Sequence, residues 1–204
     1  RRRRERSDVD ETRIHFIGDE LVAGYGDPRA LGWTGRVMAR TPRDLEAFWA
    51  TLAVPRETTV QLADRWPSEV AARSTHTGTN RLVIGLGAAD VNSGISPARS
   101  RLALANILDK AAGEQRSCFV VGPPPLPGVN PDATAALSRA VSEVCHRRKI
   151  PYVETFEPLH NHEQWMTDVA AAGGSHPGQA GYGLLAWLVL HRGWYEWLGV
   201  EQPS

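Results

Sequence analysis

Ile14-His15-Phe16-Ile17-Gly18-Asp19-Glu20-Leu21-Val22-Ala23-Gly24-Tyr25-Gly26 is the stretch from which the rest of the chain can be read. Its first residues are apolar enough, His15 apart, for a strand buried on both faces, and the strand stops at Gly18. A tight turn carrying two adjacent carboxylates, Asp19 and Glu20, comes next, and a loop with Gly24 and Gly26 leads toward a helix. In an open α/β sheet, ligands and catalytic groups collect at the carboxyl ends of the strands. An acidic pair in that position is the chemical feature to be explained.

Working outward, five short apolar runs alternate with helical patterns: Arg13–Gly18, Ala47–Val54, Arg81–Gly87, Ser117–Gly122 and Ile150–Thr155. Between them, apolar residues recur at three- and four-residue spacing over Leu31–Arg40, Thr59–Ala72, Pro97–Ala112 and Ala133–Arg148. Leu159–Ala172 is helical in part, and a last pattern, Pro177–Leu198, opens with proline just inside a helix start. Strands alternating with helices imply right-handed crossovers and a parallel sheet covered on both faces. The expected fold is therefore a three-layer α/β/α domain with a five-stranded parallel sheet. Residues 13–204 form that single domain, behind a basic tail at 1–12. The loops at 18–27, 53–58, 87–94 and 123–131 share its functional rim, and the prolines at 123–125 and 127 suit a stiff wall.

Composition removes several classes. Lys plus Arg and Asp plus Glu number 23 each, so no global field favours nucleic acid or an anionic membrane. No apolar run approaches the roughly 18 residues that a membrane span needs. The cluster Arg1–Arg6 has no apolar segment after it and reads as a solvated tail. Cys118 and Cys145 offer no disulfide framework and are expected as buried free thiols, with the cytoplasm as the default compartment. No cofactor is called for, and the oligomeric state stays open.

Four blocks on the predicted strand ends carry a resemblance that covers essentially the whole chain. Gly18-Asp19-Glu20-Leu21, Leu52-Ala53-Val54, Gly87-Ala88-Ala89-Asp90 and Gly173-Gly174-Ser175-His176-Pro177-Gly178 are similar, in this order, to the motif blocks of the GDSL or SGNH hydrolases. The resemblance implies the flavodoxin-like fold of that family. It also implies a Ser nucleophile, an oxyanion hole with a Gly N–H and an Asn side chain, and a His base oriented by an Asp. Here those positions hold Glu20, Ala53, Ala89 and Gly173, and only His176 is kept. Removing one oxyanion donor costs about a hundred- to a thousandfold in rate, so ordinary serine-esterase chemistry is not expected.

Glu20 is large and the residues at 89 and 173 are small, which leaves room for its carboxylate to reach His176. On that reading Glu20 and His176 form an acid/base pair acting on a small molecule by cyclisation, isomerisation, elimination or hydration. The alternatives are a catalytically inactive binding protein and a residual esterase or acylhydrolase. Asp19 and Asp90 read as braces of their turns, and Asp168 or Glu163 stands in line to orient His176 in place of the acid missing at 173. Ser93, Ser96 and Ser175 are weaker candidates for a relocated nucleophile. Tyr25, Trp33 and Trp165 are candidate pocket walls, Arg29 and Arg56 candidate contacts for an anionic group, and Trp187, Trp194 and Trp197 core residues. A hard cation among Asp19, Glu20, Asp90 and His176, or at His160-Asn161-His162-Glu163, has no established ligand spacing, so no metal is expected.

Overall fold

The computed structural model describes residues 11–203. The part of the basic tail up to residue 10 lies outside the described residues, and Thr12 already belongs to the first strand. The elements are β1 (Thr12–Gly18), α1 (Gly32–Ala39), β2 (Ala47–Ala53), α2 (Thr59–Ala71), β3 (Thr79–Gly85), α3 (Ala89–Asn92), α4 (Pro97–Gly113) and β4 (Ser117–Val121). They continue with α5 (Pro131–Arg147), β5 (Tyr152–Val153), α6 (Phe156–His160), α7 (Glu163–Ala171), α8 (Gln179–Val189) and α9 (Tyr195–Leu198). All four strand pairings are parallel and the order is β2-β1-β3-β4-β5. The chain leaves β1 toward β2 and then crosses back to lay β3 on the other side of β1. The order reverses there, so a crevice opens above Gly18 and Gly85.

The alternation within each strand explains why the runs are apolar without a polar face. Phe16, Val83 and Phe119 point to one side and pack with Trp33, Trp165 and Tyr182 of α1, α7 and α8 and with Trp194 just ahead of α9. Ile17, Leu82, Ile84 and Val120 point to the other and meet Trp66, Leu104, Ile107 and Val141 from α2, α4 and α5. His15 is fully buried, and neither ring nitrogen has a hydrogen-bond partner among the described residues. Burial and the nearby Arg116 push its pKa down to about 4, so the ring is neutral in the sheet. Cys118 and Cys145 are buried free thiols, and burial pushes both up to about 12.

The helix starts follow local chemistry. Thr58 and Gln61 form a reciprocal capping box at α2, while Ser96 and Asn130 cap α4 and α5 ahead of a proline. The α1 start is held from a distance. The Asp27 carboxylate accepts the N–H groups of Arg29, Leu31 and Gly32 at 3.0, 3.1 and 2.8 Å and pairs with Arg36 at 2.5 Å. Burial alone would raise its pKa, but the hydrogen bonds from Arg36, Arg29 and Gly32 hold it down at about 2.

Three elements differ from the sequence reading. β3 runs over 79–85 rather than 81–87, because the chain turns away from the sheet to place Gly87 beside Asp19. β5 shrinks to two residues. The last helical pattern breaks at Arg192 and Gly193, where the backbone leaves helical angles and Gly193 takes φ 105°. Trp187 is 54% exposed and stacks on His191, whereas Trp194 is core as expected. β2, at the border of the sheet, exposes Phe48 and Trp49. No helix among the described residues is long and apolar enough to cross a membrane.

Candidate active site

A groove of about 950 Å³ opens on the rim at the reversal between β1 and β3. Its walls bring together Asp19, Glu20 and Tyr25 from the loop after β1, Pro55 and Arg56 from the loop after β2, and Ala88 and Asn92 at α3. The proline-rich loop after β4 adds Leu126 to Val129, and the segment before α8 adds Gly173 to Ser175. The stiff wall expected at 123–131 is therefore a wall, through its second half.

Glu20 is half-buried in this groove. Its Oε2 accepts the Arg56 backbone N–H at 2.7 Å. Arg56 can present that N–H because its backbone sits at φ 57°, a left-handed conformation that is uncommon for a residue with a side chain. Carboxylate and strained loop thus hold each other, and the carboxylate is not drawn toward His176. No ion pair or hydrogen bond joins Glu20 to His176 among the described residues, so the expected reach across the space left at 89 and 173 is not made.

His176 lies just outside the groove, behind Tyr25. The two rings meet edge to face with centroids 5.0 Å apart. The imidazole also covers Gly26 so closely that a Cβ at 26 would overlap it. Its Nδ1 lies 2.9 Å from the Pro177 carbonyl, which only accepts, so Nδ1 is the donor of that hydrogen bond. A backbone carbonyl therefore does the orienting that the sequence reading sought from Asp168 or Glu163. Asp168 is occupied elsewhere: its Oδ2 accepts the N–H groups of Gly178 and Gly181 at 2.7 and 2.8 Å and caps α8. Glu163 sits in the first turn of α7, on the surface.

Asp19 is 3% exposed and still borders the groove. Its Oδ1 accepts the Leu21 N–H at 3.0 Å, and its other oxygen lies against Gly87, where a Cβ would collide with it. Burial, and after it the charge of Glu20, push the Asp19 pKa up to about 7. Asp90 is a brace: Oδ1 accepts the Thr59 N–H at 2.7 Å and Oδ2 the Ser100 hydroxyl at 2.6 Å, tying α3 to the starts of α2 and α4.

Several other nominated residues lie off the groove. Ala53 ends β2 opposite Gly18, and Ala89 is buried as the first residue of α3. Arg29 turns to Gln179 at 3.4 Å. Trp165 is 1% exposed with its indole N–H on the Pro125 carbonyl at 2.9 Å, and Trp33 is equally sealed, because each faces the β-sheet side of its helix. Ser175 borders the groove without a hydrogen bond to His176, whereas Ser93 and Ser96 lie off it, Ser96 as the α4 cap. Asn92 was missed; it stands one helical turn after Ala89 and puts a carboxamide residue in the wall. Among the described residues no group of three or more His, Cys, Asp or Glu could hold a metal ion. His162, nominated with its neighbours, instead caps α7.

The domain is a parallel five-stranded α/β/α sheet with its groove at the end of β1. The chain belongs to the GDSL-like lipase/acylhydrolase family, whose model matches residues 16–184. Among solved structures it is similar to TesA, at 24% identity with 87% of this chain and 95% of that one covered and a TM-score of 0.70. A lipase/acylhydrolase from Enterococcus faecalis gives 21% identity, coverage of 94% and 98%, and a TM-score of 0.72. A catalytic mutant of an acetylxylan esterase from Geobacillus stearothermophilus gives 18% identity, coverage of 94% and 96%, and a TM-score of 0.72. No curated protein matches the chain by sequence.

Proposed function

We propose that this protein is an acyl-ester hydrolase that works without a serine, with Glu20 as the general base that activates water in the groove. The observation that carries the reading is the Glu20 carboxylate itself. It occupies the family's nucleophile position in the wall of the 950 Å³ groove and is fixed there by the Arg56 N–H. A positioned carboxylate takes a proton from water as the oxygen adds to an acyl carbon, which contributes typically about 10²–10⁴-fold. Direct attack by water needs no serine and forms no acyl-enzyme, which accords with the replacement of the serine. The same base acting on a C–H bond would serve isomerisation or elimination, but the lipase/acylhydrolase family favours an ester. His176 serves here as a packing partner of Tyr25 and Gly26.

The test is hydrolysis of a panel of short and medium acyl esters by the wild type and by Glu20→Gln. The wild type should turn over at least one ester and the variant should lose about a hundredfold or more, with unchanged unfolding. A serine-directed fluorophosphonate should leave both unlabelled. Full activity in Glu20→Gln, or labelling of a rim serine, refutes the reading. A second reading, a binding protein without turnover, is favoured by the engagement of Glu20 with Arg56 and by the missing amide at Ala89. It requires that no ester is hydrolysed and that Glu20→Ala binds ligand as the wild type does.

A further inference from the structure

We propose that Asp19 is the proton donor to the leaving alcohol, so that Asp19 and Glu20 form a two-carboxyl catalytic pair at the floor of the groove. This rests on the reading of Glu20 as the base and names the partner that His176, set behind Tyr25, does not provide.

The argument begins with placement. Asp19 is almost wholly buried, yet it is part of the groove wall. Oδ1 accepts the Leu21 N–H, and no other residue among those described donates to Oδ2. The groups that face it are acidic or neutral. Glu20 adjoins it on the same loop, Glu57 approaches from the loop after β2 with Arg65 already paired to it at 2.6 Å, and the Tyr182 phenol approaches from α8. Among the described residues no cation pairs with Asp19, whereas Glu20 has the Arg56 N–H and the open groove. Two neighbouring carboxyl groups in such unequal surroundings divide the roles of acid and base. The elevated pKa of about 7 agrees with a proton resident on Asp19 at neutral pH. Gly87 completes the arrangement, since any side chain there would displace the carboxyl group.

The proton balance closes within the pair. Glu20 takes a proton from water, and the hydroxide oxygen bonds to the acyl carbon. The bond from that carbon to the alcohol oxygen then breaks, and Asp19 gives its proton to the departing oxygen. Transfer of the proton from Glu20 to Asp19 restores both groups. The substrate class follows: an ester of an ordinary alcohol, such as an alkyl or sugar ester, whose alkoxide needs a proton in order to leave. An ester of an acidic phenol has much less need of one.

The experiment compares wild type, Glu20→Gln and Asp19→Asn on an alkyl ester and on the p-nitrophenyl ester of the same acid, across pH 5 to 9. Asp19→Asn keeps the acceptor for the Leu21 N–H, and unfolding curves check that the fold is intact. The expected result is a loss on the alkyl ester that exceeds the loss on the p-nitrophenyl ester by about a hundredfold or more. The alkaline limb near pH 7 seen with the alkyl ester in wild type should vanish in Asp19→Asn. Equal losses on both esters, or an unchanged alkaline limb, overturn the role of Asp19 while leaving Glu20 as base. A wild type inactive on both esters, or a fully active Glu20→Gln, overturns the underlying reading itself.

Discussion

Asp19→Asn should make the protein more stable at alkaline pH than the wild type by an amount that can be worked out beforehand. The Asp19 carboxyl is raised from 3.8 to about 7 on folding, by burial first and by Glu20 second. A gap of about 3 pH units at about 1.4 kcal/mol each amounts to about 4 kcal/mol. The sign follows from which state holds the proton. Below pH 3.8 both folded and unfolded chains are protonated and the group contributes no penalty. Between 3.8 and 7 the unfolded chain has released the proton and the folded one has not, so stability falls as pH rises, and above 7 the whole penalty is in place. Asparagine does not titrate. Urea unfolding of both proteins at several pH values from 4 to 8.5 therefore should show the stability difference, variant minus wild type, growing by up to about 4 kcal/mol, with unchanged m-values. Titrating groups that do not interact with Asp19, His15 included, are common to both proteins and cancel. Combining the change with Glu20→Gln should shrink the effect, because the neighbouring charge is gone. Parallel stability curves over this range would show that Asp19 releases its proton as an ordinary carboxyl does, and the reasoning from its burial would be wrong.

Other expectations can be checked with the same unfolding assay. His15→Leu should remove the acid-side loss of stability that burial imposes: the wild type weakens by up to about 3 kcal/mol as pH falls from 6.5 to about 4, because only the unfolded chain takes up the proton, and a variant with the same slope refutes this. Asp27→Ala should cost about 3–5 kcal/mol at pH 7 by stranding Arg36 and three N–H groups. The stabilisation from Asp27 is present above pH 3.8 and lost as pH falls through about 2, so the gap between variant and wild type should close there. Gly87→Ala should cost about 1–3 kcal/mol by driving a methyl group into Asp19, and should move any pH dependence that Asp19 carries; an unaffected protein would mean the contact is looser than described.

The fold was legible because each strand is buried on both faces. Phe16 and Ile17 feed different layers, so the apolar runs stand out without alternation, and Thr58, Ser96 and Asn130 mark the helix starts in plain residues. The break at Gly193 was hidden because the apolar spacing continues across it into Trp194 and Leu198. In the site, Glu20 could be found from its place after β1, but not the direction of its carboxylate. That direction depends on the left-handed backbone of Arg56, which its residue type does not announce. Trp165 lines a neighbouring cavity of about 410 Å³ rather than the groove of Glu20, a choice that helical spacing alone does not tell. Asn92 became visible only once α3 placed it one turn beyond Ala89. Its carboxamide and its interval of three were the available signals.

On the proposed reading of Glu20, the carbonyl of Pro177 beside His176 bears on why position 173 can be glycine. A serine hydroxyl holds its proton tightly, so it must be assisted by imidazole, and the imidazole by an anion that steadies the charge it acquires. An ordinary carboxyl group is already ionised in neutral water. Once such a group stands at position 20, the relay behind it has no load to carry. A dipole then suffices to keep the ring from turning, and position 173 is released to become glycine. On the proposed reading, the residues at 20 and 173 are therefore linked in charge terms although they lie far apart along the sequence.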